Sequence, residues 1–338
     1  QDKNVLHIMF YLTSYIIITL QDGRRLRVRP YSVKWKRSVE NLCDTCEITL
    51  PLHPYLYTTE PNASGRECLI RVDDPVSVSL GYNDNNTVRF IGFVAAVNYS
   101  DRLVLQCEGY YHLIKRGNKD KSWKSVNLKE LLEYLTSGTG ITLSKSIPDE
   151  QLGMVTLQNA SMDKVFKMLN DNYQCVAYFK GSELYCGPSY FPDRTATQVK
   201  KLRIGWNVKS GEVKNQPLAE VVNIVLKTTD DKGKTTKTKP SGTVVKADSK
   251  KEYKIKSTLS ANYRKELMKR LHDEENAKSL KQADVTCFLE PQLELGEVVE
   301  VIDQRYPERN GRFFVAAIDG EFGESGGSQK LTLKYYGD

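Results

Sequence analysis

Apolar and polar residues alternate with a period of two through the first third of the chain. Cys46, Ile48 and Leu50 alternate with Glu47 and Thr49, and Val76, Val78, Leu80 and Tyr82 with Ser77, Ser79 and Gly81. Leu103, Leu105 and Cys107 alternate with Val104, Gln106 and Glu108 in the same way. Successive side chains of a strand point to opposite faces, so each run predicts a strand with one buried face. Asp22-Gly23, a hairpin dipeptide, stands between two apolar runs and predicts a β-hairpin over residues 16–28. Turn-forming stretches at 82–87 (YNDNNT) and 98–101 (NYSD) separate the later runs. About six short strands in about 110 residues predict a small barrel or sandwich.

The period changes near Lys115. After RGNKDKSWKS, Leu128, Leu131, Leu132 and Leu135 fall at the spacing of one helix face, with Asn127 and Glu130 as a capping pair and Gly138 as the stop. A second helix is predicted from Ser161, with Met162, Val165, Phe166, Leu169 and Tyr173 on one face. It leads into QCVAYFKGSELYCG, where residues 180–183 turn one strand back on another. Residues 114–192 are therefore predicted to form a compact α/β module. Beyond them, LAEVVNIVLKTT is strand-like and ends at the turn signal DDKGK, while KTTKTKPSG has too little apolar content to pack on both faces. A long helix is predicted over 260–283, with Tyr263, Leu267, Leu271, Ala277 and Leu280 facing inward. VTCFLEP, GEVVEVID, GRFFVAAIDG and QKLTLKYY close the chain as four strand-like runs.

At 338 residues the chain has room for two or three domains. Its net charge of +7 is concentrated: residues 227–256 hold ten lysines against Asp230, Asp231, Asp248 and Glu252, a net of +6 that leaves about +1 for the remainder. Seven cysteines cannot all pair, which excludes a complete disulfide framework and favours a reducing compartment. The most apolar run, residues 5–20, is interrupted by His7, Thr13, Ser14 and Tyr15 and falls short of the about 18–20 residues of a membrane span. It lacks a basic start and a small-residue cleavage site, so it reads as buried strand instead of anchor or signal peptide.

Little in the sequence points to chemistry. Cys43 and Cys46 form a C-x-x-C pair, but on a strand spanning 43–50 they point to opposite faces. No second cysteine pair completes a zinc site, and no helix start lowers a thiol pKa. Cys46 reads as a core residue, and Cys68, Cys107, Cys175, Cys186 and Cys287 are scattered singly. His7, His53, His112 and His272 make no metal-binding spacing, and no nucleophile elbow, phosphate loop or dinucleotide fingerprint occurs. Asp319, Glu321 and Glu324 would act as a hydrolytic pair only if the fold aimed them into one cleft. The basic segment 227–256 has a single aromatic, Tyr253, and so lacks a stacking platform for single-stranded nucleic acid. No catalytic, cofactor-binding or metal-binding residue is assigned, and the chain is not read as an enzyme.

The order of modules carries more. A β-region containing RSVENLCDTCEITLP and FIGFVAAVNYSDRLVLQCEG, then a two-helix module ending in ELYCGP, resembles the baseplate hub proteins of contractile phage tails and the related VgrG-type spike proteins of type VI secretion. Phe90, Gly92 and Val94 match the family's F-x-G-x-V phrase, and Leu295, Gly296 and Val299 its Leu-Gly-x-x-V phrase. The likeness spans about residues 16–336 and rests on strand and turn patterns. It implies a mainly β chain of two tube-like β-barrels with a small two-helix α/β domain. The first barrel with an N-terminal extension would occupy 1–113 and the α/β module 114–192. The second barrel would occupy 193–338 and carry a basic loop at 227–256 and an inserted helix at 260–283.

The implied role is that of a homotrimeric structural hub in a tail baseplate or assembled injection particle, made in the bacterial cytoplasm. It would adapt a hexameric tail tube to a trimeric central spike, with transient contact to passing nucleic acid and no membrane insertion. No enzymatic insertion of the lysozyme kind is found. The rival reading is a distal-tail or carbohydrate-binding adhesin, which would carry an exposed aromatic platform.

Overall fold

The expected first hairpin forms and starts earlier than the Asp22-Gly23 signal alone indicates. The computed structural model describes residues 11–53, 56–57, 67–190, 199–215, 222–229, 235–238, 249–256, 258–277 and 281–335. Strand β1 (Leu12–Thr19) turns through Gly23, at φ +85°, into β2 (Arg25–Val28). Then come β3 (Ser32–Ser38), β4 (Thr45–Leu50), β5 (Pro75–Tyr82), β6 (Asn85–Tyr99) and β7 (Leu103–Glu108). They pair antiparallel in the order β3-β4-β7-β6-β5-β1-β2. The alternating residues behave as predicted: Cys46, Ile48, Leu50, Val76, Val78, Leu80, Leu103, Leu105 and Cys107 are all buried in one core with Trp35 and Ile16. One expectation fails locally. Strand β4 begins at Thr45, so Cys43 lies half-buried in the loop before it and not on the strand.

The predicted α/β module follows as α1 (Tyr111–Ile114), β8 (Lys119–Asn127), α2 (Leu128–Thr136), β9 (Thr142–Leu143), β10 (Gln151–Ala160), α3 (Met162–Tyr173), β11 (Val176–Lys180) and β12 (Glu183–Gly187). The Asn127 side chain accepts a 2.7 Å hydrogen bond from the Glu130 amide, satisfying an amide that the first turn of α2 would leave open. Leu128, Leu131, Leu132 and Leu135 are buried, as are Met162, Val165, Phe166, Leu169 and Tyr173 on α3.

The last part contains β13 (Lys200–Arg203), β14 (Val208–Asn215), β15 (Val222–Thr229), β16 (Thr235–Thr238), β17 (Ser249–Lys256), α4 (Ala261–Ala277), β18 (Lys281–Cys287), β19 (Val298–Ile302), β20 (Gly311–Gly323) and β21 (Gly326–Tyr335). Two corrections arise here. The basic segment 227–256 is not a loop throughout: β15 pairs antiparallel with β16 and parallel with β17, and residues 230–234 and 239–248 lie outside the described residues. Ile224, Leu226 and Ile255 are buried while Lys227 pairs with Glu252, so strand alternation separates the lysines from the core.

The helix predicted over 260–283 ends at Ala277, because Ala283, Val285 and Cys287 switch to period two and are buried in β18. Tyr263, Leu267 and Leu271 do face inward, and Leu280 lies outside the described residues. The fold class is the expected one, mainly β with a small α/β module, and the strands of the two halves form one 13-stranded sheet joined where β20 pairs with β3, with no barrel-closing pair among the described residues. The β15–β17 layer and α4 also belong in space with the α/β module, since the Tyr263 hydroxyl donates to the Tyr173 carbonyl at 3.0 Å and Glu150 accepts from the Ser260 amide at 2.7 Å.

Asn127→Ala should lower the unfolding free energy by about 1 kcal/mol, the usual worth of an N-cap. Denaturant unfolding monitored by helix circular dichroism would read it, and no change in midpoint would show that the cap is dispensable.

Candidate assembly surface

The joint between the two halves is a strand pairing of high sequence separation. The C-terminal half of β20 meets β3 in six register pairs, from Ala317↔Ser38 to Phe322↔Val33, with Gly320 opposite Trp35. The Trp35 indole lies flat across Gly320: a Cβ at that position would sit inside the ring's contact radius. Trp35 is 2 % exposed, so a small residue on one strand lets the largest side chain on the other stay in the core.

Charges reinforce the joint. Arg37, buried, reaches Asp44 at 3.2 Å and Glu294 at 2.8 Å, tying β3 to the segment before β19. Lys334 pairs with Glu40, and the Tyr31 hydroxyl donates to Glu324 at 3.0 Å. Burial pushes the Asp44 carboxyl up to about 6, against the downward pull of Arg37. Burial also acts to lower the Arg37 guanidinium, but Asp44 and Glu294 outweigh it and hold it above its ordinary value.

The opposite face of the same strands is polar. Lys34 stands between Glu321 and Glu47, and Gln106 donates to Glu47 at 2.7 Å; Lys36 and Lys330 flank Asp319. The acidic residues singled out in the sequence therefore lie on a charge ladder: Asp319 and Glu321 stand opposite lysines, Ser328 donates to Glu321 at 3.0 Å, and Glu324 holds Tyr31. They do not converge in a cleft.

Each half of the sheet repeats one plan. The strands β3-β4-β7-β6-β5 and β14-β18-β21-β20-β19 share the order first, second, fifth, fourth, third, antiparallel throughout. The sequence carries a signal of this that the alternation alone does not reveal: Phe93-Val94-Ala95-Ala96-Val97 in β6 and Phe314-Val315-Ala316-Ala317-Ile318 in β20. Both stretches carry a register shift at the same place, between Val94 and Ala96 and between Val315 and Ala317. Bulges bend a strand, which suits strands that change neighbours along their length.

The family phrases also find a physical reason. Gly92 has no room for a Cβ beside the Glu108 carbonyl and the buried Phe90 ring, with Val94 buried next along. Gly296, at φ +78°, donates its amide to the Val315 carbonyl at 2.9 Å to lead into β19, with Leu295 and Val299 buried.

The repeat exposes a difference. The C-terminal half of β20 is covered by β3, whereas the equivalent residues 96–99 of β6 pair only with β7 among the described residues. Likewise, among the described residues, positions 210–215 of β14 pair only with β18, while Val208 also bridges Ile204. Tyr99, at the free edge of β6, is 60 % exposed.

All seven cysteines are free thiols; Cys46 stands opposite Cys107 with both buried, and burial pushes the Cys43 thiol up to about 11. No group of three or more His, Cys, Asp or Glu among the described residues is placed to hold a metal ion. His112 lies between Glu108 at 2.9 Å and Asp73 at 2.6 Å, His53 and His272 lie elsewhere in the chain, and His7 is outside the described residues. No described helix is long and apolar enough to cross a membrane.

No protein-family description and no curated protein matches the sequence. Solved structures do match. A tail protein from Neisseria meningitidis superposes with a TM-score of 0.65 at 10% identity, covering 95% of this chain and 96% of that one. The prophage MuSo2 43 kDa tail protein from Shewanella oneidensis gives 0.63 at 12% identity, covering 96% and 98%. An Escherichia coli type VI secretion component, described as similar to the bacteriophage T4 tail proteins gp27 and gp5, gives 0.59 at 8% identity, covering 97% and 77%. VgrG complexes from Francisella are also among the matches. The fold is thus the one shared by phage tail proteins and the secretion spike, as the resemblance in the sequence implied.

Gly320→Val should force a branched side chain into the Trp35 ring and cost about 1–3 kcal/mol by overpacking. Adding Trp35→Ala should relieve that clash, so the double variant should lose less stability than the sum of the two single losses; strict additivity in denaturant unfolding would argue against contact across the joint.

Asp44 supplies a pH signature. Folded, it keeps its proton up to about pH 6; unfolded, it loses it near pH 4, so its contribution to stability falls as pH rises from about 4 to about 6. Asp44→Asn should remove that component. Arg37→Met should cost about 3–5 kcal/mol at neutral pH by stranding a buried carboxylate, with a deficit that widens above about pH 6. Unfolding curves over that range decide both.

Proposed function

We propose that this chain is a structural hub of a contractile tail or injection-machine baseplate, acting as a homotrimer that joins a hexameric tail tube to a trimeric central spike. The observation that carries the reading is the repeated five-strand unit. One chain holds two tube-like units of the same plan, so three chains supply six, which is the count that a sixfold tube requires while a threefold spike sees three identical chains.

The joint within the chain specifies the joint between chains. Following register pairs across the sheet, Val94 corresponds to Val315, Cys107 to Leu333, Cys46 to Ala283 and Trp35 to Val213. Gly320 corresponds to Tyr99 by the same count along the matching strands. Where Gly320 meets Trp35 inside one chain, Tyr99 would meet the partner's Val213. The small and large residues have exchanged strands, and the fit is kept. The heterologous contact of the β6 edge with a neighbour's β14 repeats around a ring and closes at three chains, burying both free edges. The polar ladder of Lys34, Glu47, Asp319 and Glu321 then faces the channel, where nucleic acid would pass. The role needs no catalytic group.

The adhesin reading is less well supported. Arg27, Arg102 and Arg309 lie over the exposed rings of Tyr15, Tyr31 and Tyr306, so these rings do not form an open platform for sugars.

Light scattering should give a mass three times that of the 38.5 kDa chain. Tyr99→Cys combined with Val213→Cys should form disulfides between chains on mild oxidation, giving covalent dimers and trimers and nothing larger. A strictly monomeric protein at micromolar concentration, or cross-links that extend into long polymers, would overturn the ring.

A further inference from the structure

Strand β2 is another open edge of the sheet, and its chemistry differs from that of the β6 and β14 edges. Strand β2 pairs with β1 from Thr19↔Arg25 to Ile16↔Val28 and, among the described residues, with nothing on its other side. Residues 21–31 hold Arg24, Arg25, Arg27 and Arg29 against the one acid Asp22. All four arginines are exposed, and of their ion pairs the structure shows Arg24 with Asp22. Arg25 and Arg27 alternate with Leu26 and the buried Val28, so both guanidinium groups leave the same face of the edge strand. Their spacing along an extended strand is about 6.6–6.8 Å.

Such an edge excludes a second copy of itself, because β2 against β2 would set arginines opposite arginines. The same spacing matches an extended strand carrying carboxylates at alternate positions, each opposite one guanidinium. Nucleic acid fits less well. The two tyrosines beside the patch each have a guanidinium over the ring, Arg27 at 4.8 Å from the Tyr15 centroid and Arg102 at 3.2 Å from that of Tyr31, and Glu324 holds the Tyr31 hydroxyl. Bases would find those faces taken and a carboxylate beside them.

We infer that the β2 edge is a docking site for an acidic, extended segment of a partner polypeptide, which adds to the sheet as one more strand with its carboxylates over Arg25 and Arg27. Main-chain hydrogen bonds from the open edge supply affinity and the arginines supply the choice of partner. The edge lies beyond the strands invoked for the ring, so this site stands whether or not the chain forms a trimer.

The test uses the full chain and a fluorescein-labelled, N-acetylated peptide of five Glu-Thr repeats, followed by fluorescence anisotropy. Binding should be saturable, weaken as salt is raised, and protect the amides of β2 from hydrogen exchange. Arg25→Glu with Arg27→Glu should weaken it by about tenfold or more, and Arg25→Gln with Arg27→Gln by less. Both pairs are exposed, so the variants should keep the wild-type circular dichroism; if the charge-reversed pair does not fold, the glutamine pair decides.

Of two further versions of the peptide, one N-methylated at its glutamates and one at its threonines, the one that loses the donors facing β2 should bind weakly. Equal binding of both N-methylated peptides and the parent, tighter binding of a twenty-residue oligothymidylate, unchanged binding by the arginine variants or no binding at all would each overturn the site. The last outcome would leave the arginines as edge protection.

Discussion

The β3–β20 pairing is the constraint on which the rest of the molecule depends. A strand edge presents a row of amide and carbonyl groups that must be paired, covered or guarded. This chain folds two units of the same plan and joins the edge of one to the edge of the other, so the joint is continuous with the sheets it connects. Gly320 makes this geometry available, since any side chain there would displace Trp35 from the core. The α/β module and the β15–β17 layer are insertions hung between strands of this framework: one between β7 and β13, the other between β14 and β18.

The electrostatics follow from the same joint. Arg37 reaches the core side because β3 must pass from one half to the other, and it arrives with Asp44 and Glu294 around it. A buried cluster of this kind contributes little net stability, because desolvation of each ion offsets most of the attraction. It does fix alignment: a slip of one residue along β3 would send Arg37 to the polar face and Lys36 into the core. The ladder of Lys34, Glu47, Asp319 and Glu321 on the opposite face has the same effect from outside, where each cross-strand pair is worth about 0.2–1 kcal/mol.

Local features were legible in the sequence; long-range ones were not. The alternation at Cys46–Leu50 and Leu103–Cys107 and the cap at Asn127 are written in neighbouring residues, and the structure has them. Cys43 falls off the strand because β4 starts two residues later than the alternation suggests, a shift that no local preference marks. The lysine-rich segment resembled a loop because lysines at alternate positions of a strand look, in composition alone, like a solvated run. Helix α4 was drawn too long because Ala283 sits close to helical spacing while belonging to period two with Val285 and Cys287. The pairing of β3 with β20 could not be read locally, but the shared Phe-Val-Ala-Ala stretch of β6 and β20 could have suggested the repeat behind it.

The edges are not chemically alike, and this bears on how one association is selected over others. Among the described residues, the unpaired edge of β6 carries Ala96 and Val97 beside Asn98 and Tyr99, and that of β14 Gly211 and Val213 beside Glu212 and Lys214, so neither edge is a run of like charges. At β2 the edge carries Arg25 and Arg27. If β2 were apolar as well, copies of the chain would have several comparable ways to pair, and open polymers would compete with a closed ring. Arginines on β2 remove that edge from self-association at no cost to the core, because Ile16, Ile18 and Val28 still fill the inner face of the hairpin. In the proposed ring, copies would pair through the β6 and β14 edges, and a contact between two different edges is heterologous and repeats in one direction, as a closed ring requires.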